Sequence, residues 1–363
     1  MNSVEATQSQ TVQYQSVAHS YLETDLKLHL DLGEVELVDI LEKEIRLGRG
    51  ESYGRLLTPE RLPDAEQSRW FTHLLERHGS RIAAQVVGLG LQIRAAHGSH
   101  LTLVSLARAG LPVGVLLTRF LRSLGCDVDH HGISIIRGHG LDMVALEEIV
   151  RERGSNGIVF VDGWTGKGSI RNELNQSLNQ QTVFGKTVLP TLAVLCDPAG
   201  IADFQATFED QLLPHACLNA TVSGLISRTF LHEGSRHAAR FETDLVSADL
   251  SLEYVNRIEH LMLEENHVSI SLGVRPIDAA NQALELGRAH GVENPHHVKP
   301  SLGEAWRTLL RRKPRALLLG PEHAEQTAIR AFAEHKNVAV HSFDHGMPYQ
   351  VIALLGEDET GKP

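Results

Sequence analysis

Residues 157–170 read Gly-Ile-Val-Phe-Val-Asp-Gly-Trp-Thr-Gly-Lys-Gly-Ser-Ile. Four apolar β-formers, Ile158 to Val161, end in an acid. A glycine-rich turn follows, then a helix-like segment from Ile170. That order predicts a βα unit built on a strand covered on both faces. Backbone N–H groups exposed at such a turn and at the helix start form an anion cradle. Asp162, at the strand's end, is placed to hold ribose hydroxyls or a metal. The segment therefore restricts the chain to the α/β class and points to a phosphorylated sugar or nucleotide.

The loop is not a P-loop, because Gly168 separates Lys167 from Ser169. Nor do Gly163, Gly166 and Gly168 have the G-x-G-x-x-G spacing of a dinucleotide fold. An ordinary βα turn is the simpler alternative. Two neighbouring units favour phosphate. Leu101 to Leu106 reads as a buried strand, followed by Ala107-Arg108-Ala109-Gly110 and an apolar helix, Val115 to Leu124. Arg108 offers a fixed fork of donors, and Gly110 lets the backbone come close. A further strand, Val128 to Ile136, runs into Arg137-Gly138-His139-Gly140, a mobile loop by its glycines. Arg137 and His139 are candidates for charge stabilisation there, against the alternative of a solvated polar loop. Asp142 reads as the N-cap of a helix over 143–153.

The chain has 363 residues, 42% hydrophobic and 22% charged, enough for two or three domains. It has no run of 18 apolar residues, so no membrane span is expected. Met1 to Ser20 is polar and reads as a frayed tail, not a secretory signal. Cys126, Cys196 and Cys217 are odd in number and widely spaced, which suits a reducing cytoplasm. The net charge of −11 argues against wholesale binding of a nucleic-acid backbone, but not against a local basic patch. Such a patch exists: from Lys299 to Arg315 there are six basic residues against Glu304 alone. The 21 histidines show no zinc-type spacing.

Four parts follow: a tail and hood-like segment (1–50), an α/β domain (51–250), a helical connector and linker (251–298) and a last α/β unit (299–358). Helix is expected over 64–94 with a break near Gly88–Gly90, and over 251–286. Another strand is expected from Thr187 to Leu195.

Residues from about Tyr53 to Arg240 resemble the phosphoribosyltransferase-like proteins encoded near tellurite-resistance stress genes. The carrying segments are Leu103 to Gly114, Ser134 to Gly140, Phe160 to Ile170 and Cys217 to Thr229. The resemblance implies a type I phosphoribosyltransferase-like parallel sheet with flanking helices. It also implies a smaller C-terminal domain of the L7Ae/Pelota class, carried by Ser301 to Arg307, Arg315 to Leu319 and Met347 to Gly356. It implies transfer of a phosphoribosyl group from phosphoribosyl pyrophosphate to an unidentified small acceptor. Thr165, Gly166, Lys167, Gly168 and Ser169 would hold the 5′-phosphate. Arg108, Ala109 and Gly110 would hold pyrophosphate, Asp162 would hold the ribose and Mg²⁺, and Arg137 and His139 would close the site. RNA would meet Gly303, Glu304, Arg307, Arg311 and Arg312. A homo-oligomer without membrane contact is expected.

The sequence departs from that pattern where Gly163 replaces the usual second acid and Thr165 lies near the usual base. A weak sensor of a phosphoribosyl ligand, coupled to RNA, is the alternative. Asp197 is a further acid for the same face. Some members of the family carry a cysteine-protease name. A hydrolase using Cys126, Cys196 or Cys217 is thus a third reading, although no known Cys/His protease signature is recognised.

Overall fold

The computed structural model describes residues 15–179, 182–264, 272–321, 326–344 and 346–356. One sheet joins β1 (Lys27–Leu28), β2 (His100–Ala107), β3 (Asp127–Ile136), β4 (Ile158–Trp164), β5 (Leu192–Cys196) and β6 (Phe204–Thr207). These strands run parallel in the order β1-β3-β2-β4-β5-β6, and Gly140–Leu141 adds a short antiparallel piece to β3. Both faces are covered. Val159 and Val161 of β4 join a core with α2 (Ala65–His97), α3 (Gly110–Ser123) and α6 (Ser251–Leu263). Ile158 and Phe160 join the opposite core, with α4 (Met143–Arg153) and α5 (Ser169–Leu178). This is why the strand reads as an unbroken apolar run. A short α1 (Ile40–Gly48), capped by Asp39, lies in the segment expected as tail and hood.

Local chemistry sets several boundaries. Asp64 and Gln67 form a capping box at the start of α2. Asp142 caps α4 as expected, its Oδ1 accepting from Ala145 N at 3.0 Å. The expected break near Gly88–Gly90 does not occur, and α2 runs through both glycines. A Cβ on Gly90 would sit 2.6 Å from the Phe120 ring, so this glycine serves close contact with α3. The strand expected from Thr187 begins only at Leu192. Pro190 lacks an N–H for the ladder, and Lys186–Thr187 pairs instead with Thr182–Val183. The helix expected over 251–286 ends at Leu263 in α6, and a separate α7 (Ala279–Ala289) follows. Residues 265–271 lie outside the described residues, as does most of the expected tail.

The C-terminal unit is a four-stranded sheet of β7 (Val298–Pro300), β8 (Ala316–Leu319), β9 (Ala339–Ser342) and β10 (Val351–Leu354), in the order β7-β10-β8-β9. It carries α7, α8 (Leu302–Arg311) and α9 (Gln326–His335). Trp306 stacks on Phe332 with ring centroids 4.7 Å apart. The architecture is the expected one, a mostly parallel sheet with flanking helices plus a smaller α/β domain. The two parts share a core: Leu302, Ala305 and Trp306 pack in one cluster with Trp164, Leu213 and Cys217. Among the described residues no helix is long and apolar enough to cross a membrane.

Candidate functional site

The 162–169 turn leaves β4 at the carboxyl end of the sheet, where α/β domains gather ligands. Gly163 N donates to Asp162 Oδ1 at 2.8 Å. Burial pushes the Asp162 carboxyl up to about 7, opposed by the Gly163 amide and the Arg307 charge. Thr165 Oγ1 donates to the buried Asp197 at 2.6 Å, and Asp197 also accepts from Ile201 N and Ala202 N. Asp197 thus braces the turn. Gly168 takes φ +87° and no side chain caps α5, so its first-turn amides are left to face the cavity. That cavity holds about 120 Å³ and is lined by Asp162, Ala109, Arg137 and residues 164–171. The C-terminal domain supplies its other wall through Lys299, Glu304 and Arg307.

Several expected phosphate ligands have other partners here. Arg108 is buried and donates to Glu60 Oε1 at 2.5 Å and to Ile226 O at 2.6 Å. Gly110 opens α3 where a Cβ would lie 2.1 Å from Val161 O, so it serves helix–strand contact. Lys167 Nζ donates to Val298 O at 2.7 Å and to Pro295 O. Burial, with repulsion from Lys299 and Arg137, pulls its ammonium down to about 6. Arg137 lines the cavity, whereas His139 is exposed and its Nε2 meets Ser52 Oγ at 3.0 Å. Magnesium was expected at Asp162; two carboxyls, Asp162 and Glu304, line this cavity together with Arg307 and Lys299. Among the described residues no three His, Cys, Asp or Glu side chains cluster as a metal site.

The residues expected to meet RNA lie along the domain seam. A Cβ on Gly303 would be 2.3 Å from the Trp164 ring. The Arg307 guanidinium stacks 4.6 Å from the centre of that ring, and burial lowers its pKa to about 9. Arg311 donates to Asn219 Oδ1 at 2.8 Å, and Arg312 closes α8. Trp164 is 7% exposed and seals the turn against the second domain.

All three cysteines are buried and none forms a disulfide. Cys126 precedes β3 at the far end of the sheet, and Cys196 ends β5. Cys217 follows the short helical turn Pro214–Ala216 that carries His215. His215 is buried between Trp164 and Tyr254, its Nδ1 3.2 Å from the Tyr254 hydroxyl. Its Nε2 has no partner among the described residues, and burial holds its pKa down to about 3. Burial pushes the Cys217 thiol well up, and Cys196 and Cys217 both act on the Tyr254 hydroxyl. This grouping was missed from sequence, although His215 stands two residues before a segment singled out there.

Residues 19–259 match the family described as tellurite-like stress resistance cysteine protease StiP, and residues 278–357 match the PELOTA RNA binding domain. A curated relative from Acinetobacter baylyi, named cysteine protease StiP, is 34% identical over 94% of each chain. Solved structures include the hypoxanthine phosphoribosyltransferase of Trypanosoma cruzi, 12% identical over 48% of this chain and 93% of that one, TM-score 0.30. The HGPRT-ase of Leishmania tarentolae is 15% identical over 35% and 76%, TM-score 0.28. Partial alignments at such scores say nothing about activity. The expected phosphoribosyl transfer is therefore corrected: family and relative are both named for a cysteine protease, a hydrolase, and not for a transferase acting on phosphoribosyl pyrophosphate. By its family match and by its relative, the chain belongs to the tellurite-like stress resistance family StiP.

Proposed function

We propose that this chain is a cysteine-dependent hydrolase with an RNA-binding C-terminal domain, working in a reducing cytoplasm. The observation that carries the choice of thiol is the position of Cys217 at the end of the short turn that holds His215, whose Nδ1 meets the Tyr254 hydroxyl at 3.2 Å. The relative's printed name supports the reaction class. Hydrolysis needs a thiolate and a base that accepts its proton. His215 is neutral at pH 7, since its pKa is held down to about 3. With Nδ1–H donated to Tyr254, Nε2 is left as the acceptor that would take the thiol proton. The Cys217 sulfur then bonds to the acyl carbon, and the leaving group departs with the proton from His215. Water cleaves the thioester and restores the thiol. The amides of Thr165 to Ser169, beside Asp162, would seat an anionic group of the substrate.

Burial keeps Cys217 protonated in this closed arrangement, so turnover requires the seam at Trp164 and Arg307 to part. The test is hydrolysis of a fluorescent casein, together with iodoacetamide labelling mapped by mass. Cys217→Ala and His215→Ala are expected to lower turnover at least 100-fold, while Cys126→Ser leaves it unchanged. Full turnover in Cys217→Ala would sink the assignment.

A further inference from the structure

A second cavity, of about 500 Å³, opens along the domain seam between the 57–64 segment, the 218–228 region and the last turn of α8. Seven basic side chains and two acidic ones line it, in a chain whose net charge is −11. Both acids are engaged: Glu60 accepts from Arg108, and Asp64 caps α2 through Gln67 N at 2.8 Å. Arg61 and Arg228 come from the α/β domain, and Arg311, Arg312, Lys313 and Lys336 from the C-terminal one. Arg61, Lys313 and Lys336 are exposed and form no ion pair with another described residue. Concentrated positive charge between low-dielectric walls attracts a polyanion. Among the described residues the lining contains no aromatic ring.

We infer that this cleft is a track for the phosphate backbone of RNA, held jointly by both domains and indifferent to sequence. The inference rests on the RNA-binding reading of residues 278–357. It keeps Arg311 and Arg312 of the expected site but not Gly303, Glu304 and Arg307, which at the start of α8 face the α/β domain. The cations at the helix's other end face the cleft. Phosphate contacts position a strand and carry no base information, and each one adds to the salt dependence.

The test is fluorescence anisotropy of the full chain with labelled 20-nucleotide poly-U and poly-C, from 50 to 300 mM KCl. Wild type should bind both within a few-fold. Arg61→Ala/Lys313→Ala/Lys336→Ala should bind roughly 10- to 100-fold more weakly, and its salt slope should be shallower by about 2. Its melting temperature should fall by no more than about 3 °C, since Arg61 and Lys313 are exposed and Lys336 gives up only its contact 5.3 Å over the Phe332 ring. Wild-type binding with the triple variant equal in affinity and slope would overturn the cleft and leave the RNA reading standing. No wild-type binding at all would overturn the RNA reading, and the cleft with it. Displacement of RNA by poly-glutamate at equal charge would also overturn the assignment to RNA.

Discussion

Asp162 holds a carboxyl whose pKa burial pushes from an ordinary 3.8 up to about 7. A raised acid disfavours the folded state once it must ionise. Between about pH 4 and 7 the unfolded chain releases this proton and the folded chain keeps it, so Asp162 costs stability as pH rises through that window. The side chain is half-buried, which reduces the cost to about 1–2 kcal/mol. Asp162→Asn should therefore match wild type at pH 4 and exceed it by that amount at pH 8, measured by urea unfolding. Equal stability at both pH values would show that solvent already carries the charge. The buried histidines act on the acid side. His130, His131 and His215 are held down to about 4, 3 and 3. A lowered histidine contributes stability above its unfolded value near 6.5, and the contribution is lost as pH falls towards the folded value. Each should cost up to about 2 kcal/mol at pH 5 relative to pH 7. Their imidazole NMR signals should show no titration above pH 5, and a midpoint near 6.5 for any of them would contradict its burial as a neutral ring.

At the scale of elements, the start of α3 shows what a βα unit demands. Gly110 lies where a Cβ would come within 2.1 Å of Val161 O, a backbone atom of β4 that cannot swing aside. Gly110→Ala gains about 1 kcal/mol of helix propensity, yet it should cost about 3 kcal/mol or more through the displaced strand. A thermal melt should show the loss, and an unchanged melting temperature would mean that α3 slides freely on the sheet. The sequence read Gly110 as room for pyrophosphate, and the structure uses it to seat helix on strand. The strands over 101–106, 128–136 and 158–161 were legible because apolar runs bounded by glycine and acid are local signals. So was the cap at Asp142. Three features were not. Phe120 fills the space beside Gly90 from 30 residues away, so a helix break could not be ruled out locally. Glu60 meets Arg108 from a turn-like stretch, and Pro295 and Val298 receive Lys167 from another domain. Motif spacing places a side chain at a strand's end, but it cannot say which partner is already there.

The whole molecule depends on how its two parts meet. Asp210 of the α/β domain is buried and accepts from Leu302 N at 2.9 Å, the first residue of α8, and from Gln350 N at 2.8 Å. Tyr349 donates to Gly166 O, and Trp164 fills the space beside Gly303. One carboxylate therefore fixes two backbone amides of the C-terminal domain, at the seam that covers both the thiol turn and the start of α8. Removing it leaves two buried N–H groups unpaired, at about 1–3 kcal/mol each. Asp210→Ala should loosen the seam while both sheets stay folded. Two readouts should move together. Calorimetry should resolve two transitions where wild type shows one. Iodoacetamide should label Cys217 faster while the rate at Cys126, remote from the seam, stays the same. Asp210→Asn, which keeps an acceptor, should fall between. A single transition with unchanged labelling would mean that the apolar contacts of Trp164, Leu302 and Trp306 hold the domains without Asp210. The seam could then not be opened by changing one charge, and access to Cys217 would have to come from motion within the α/β domain itself.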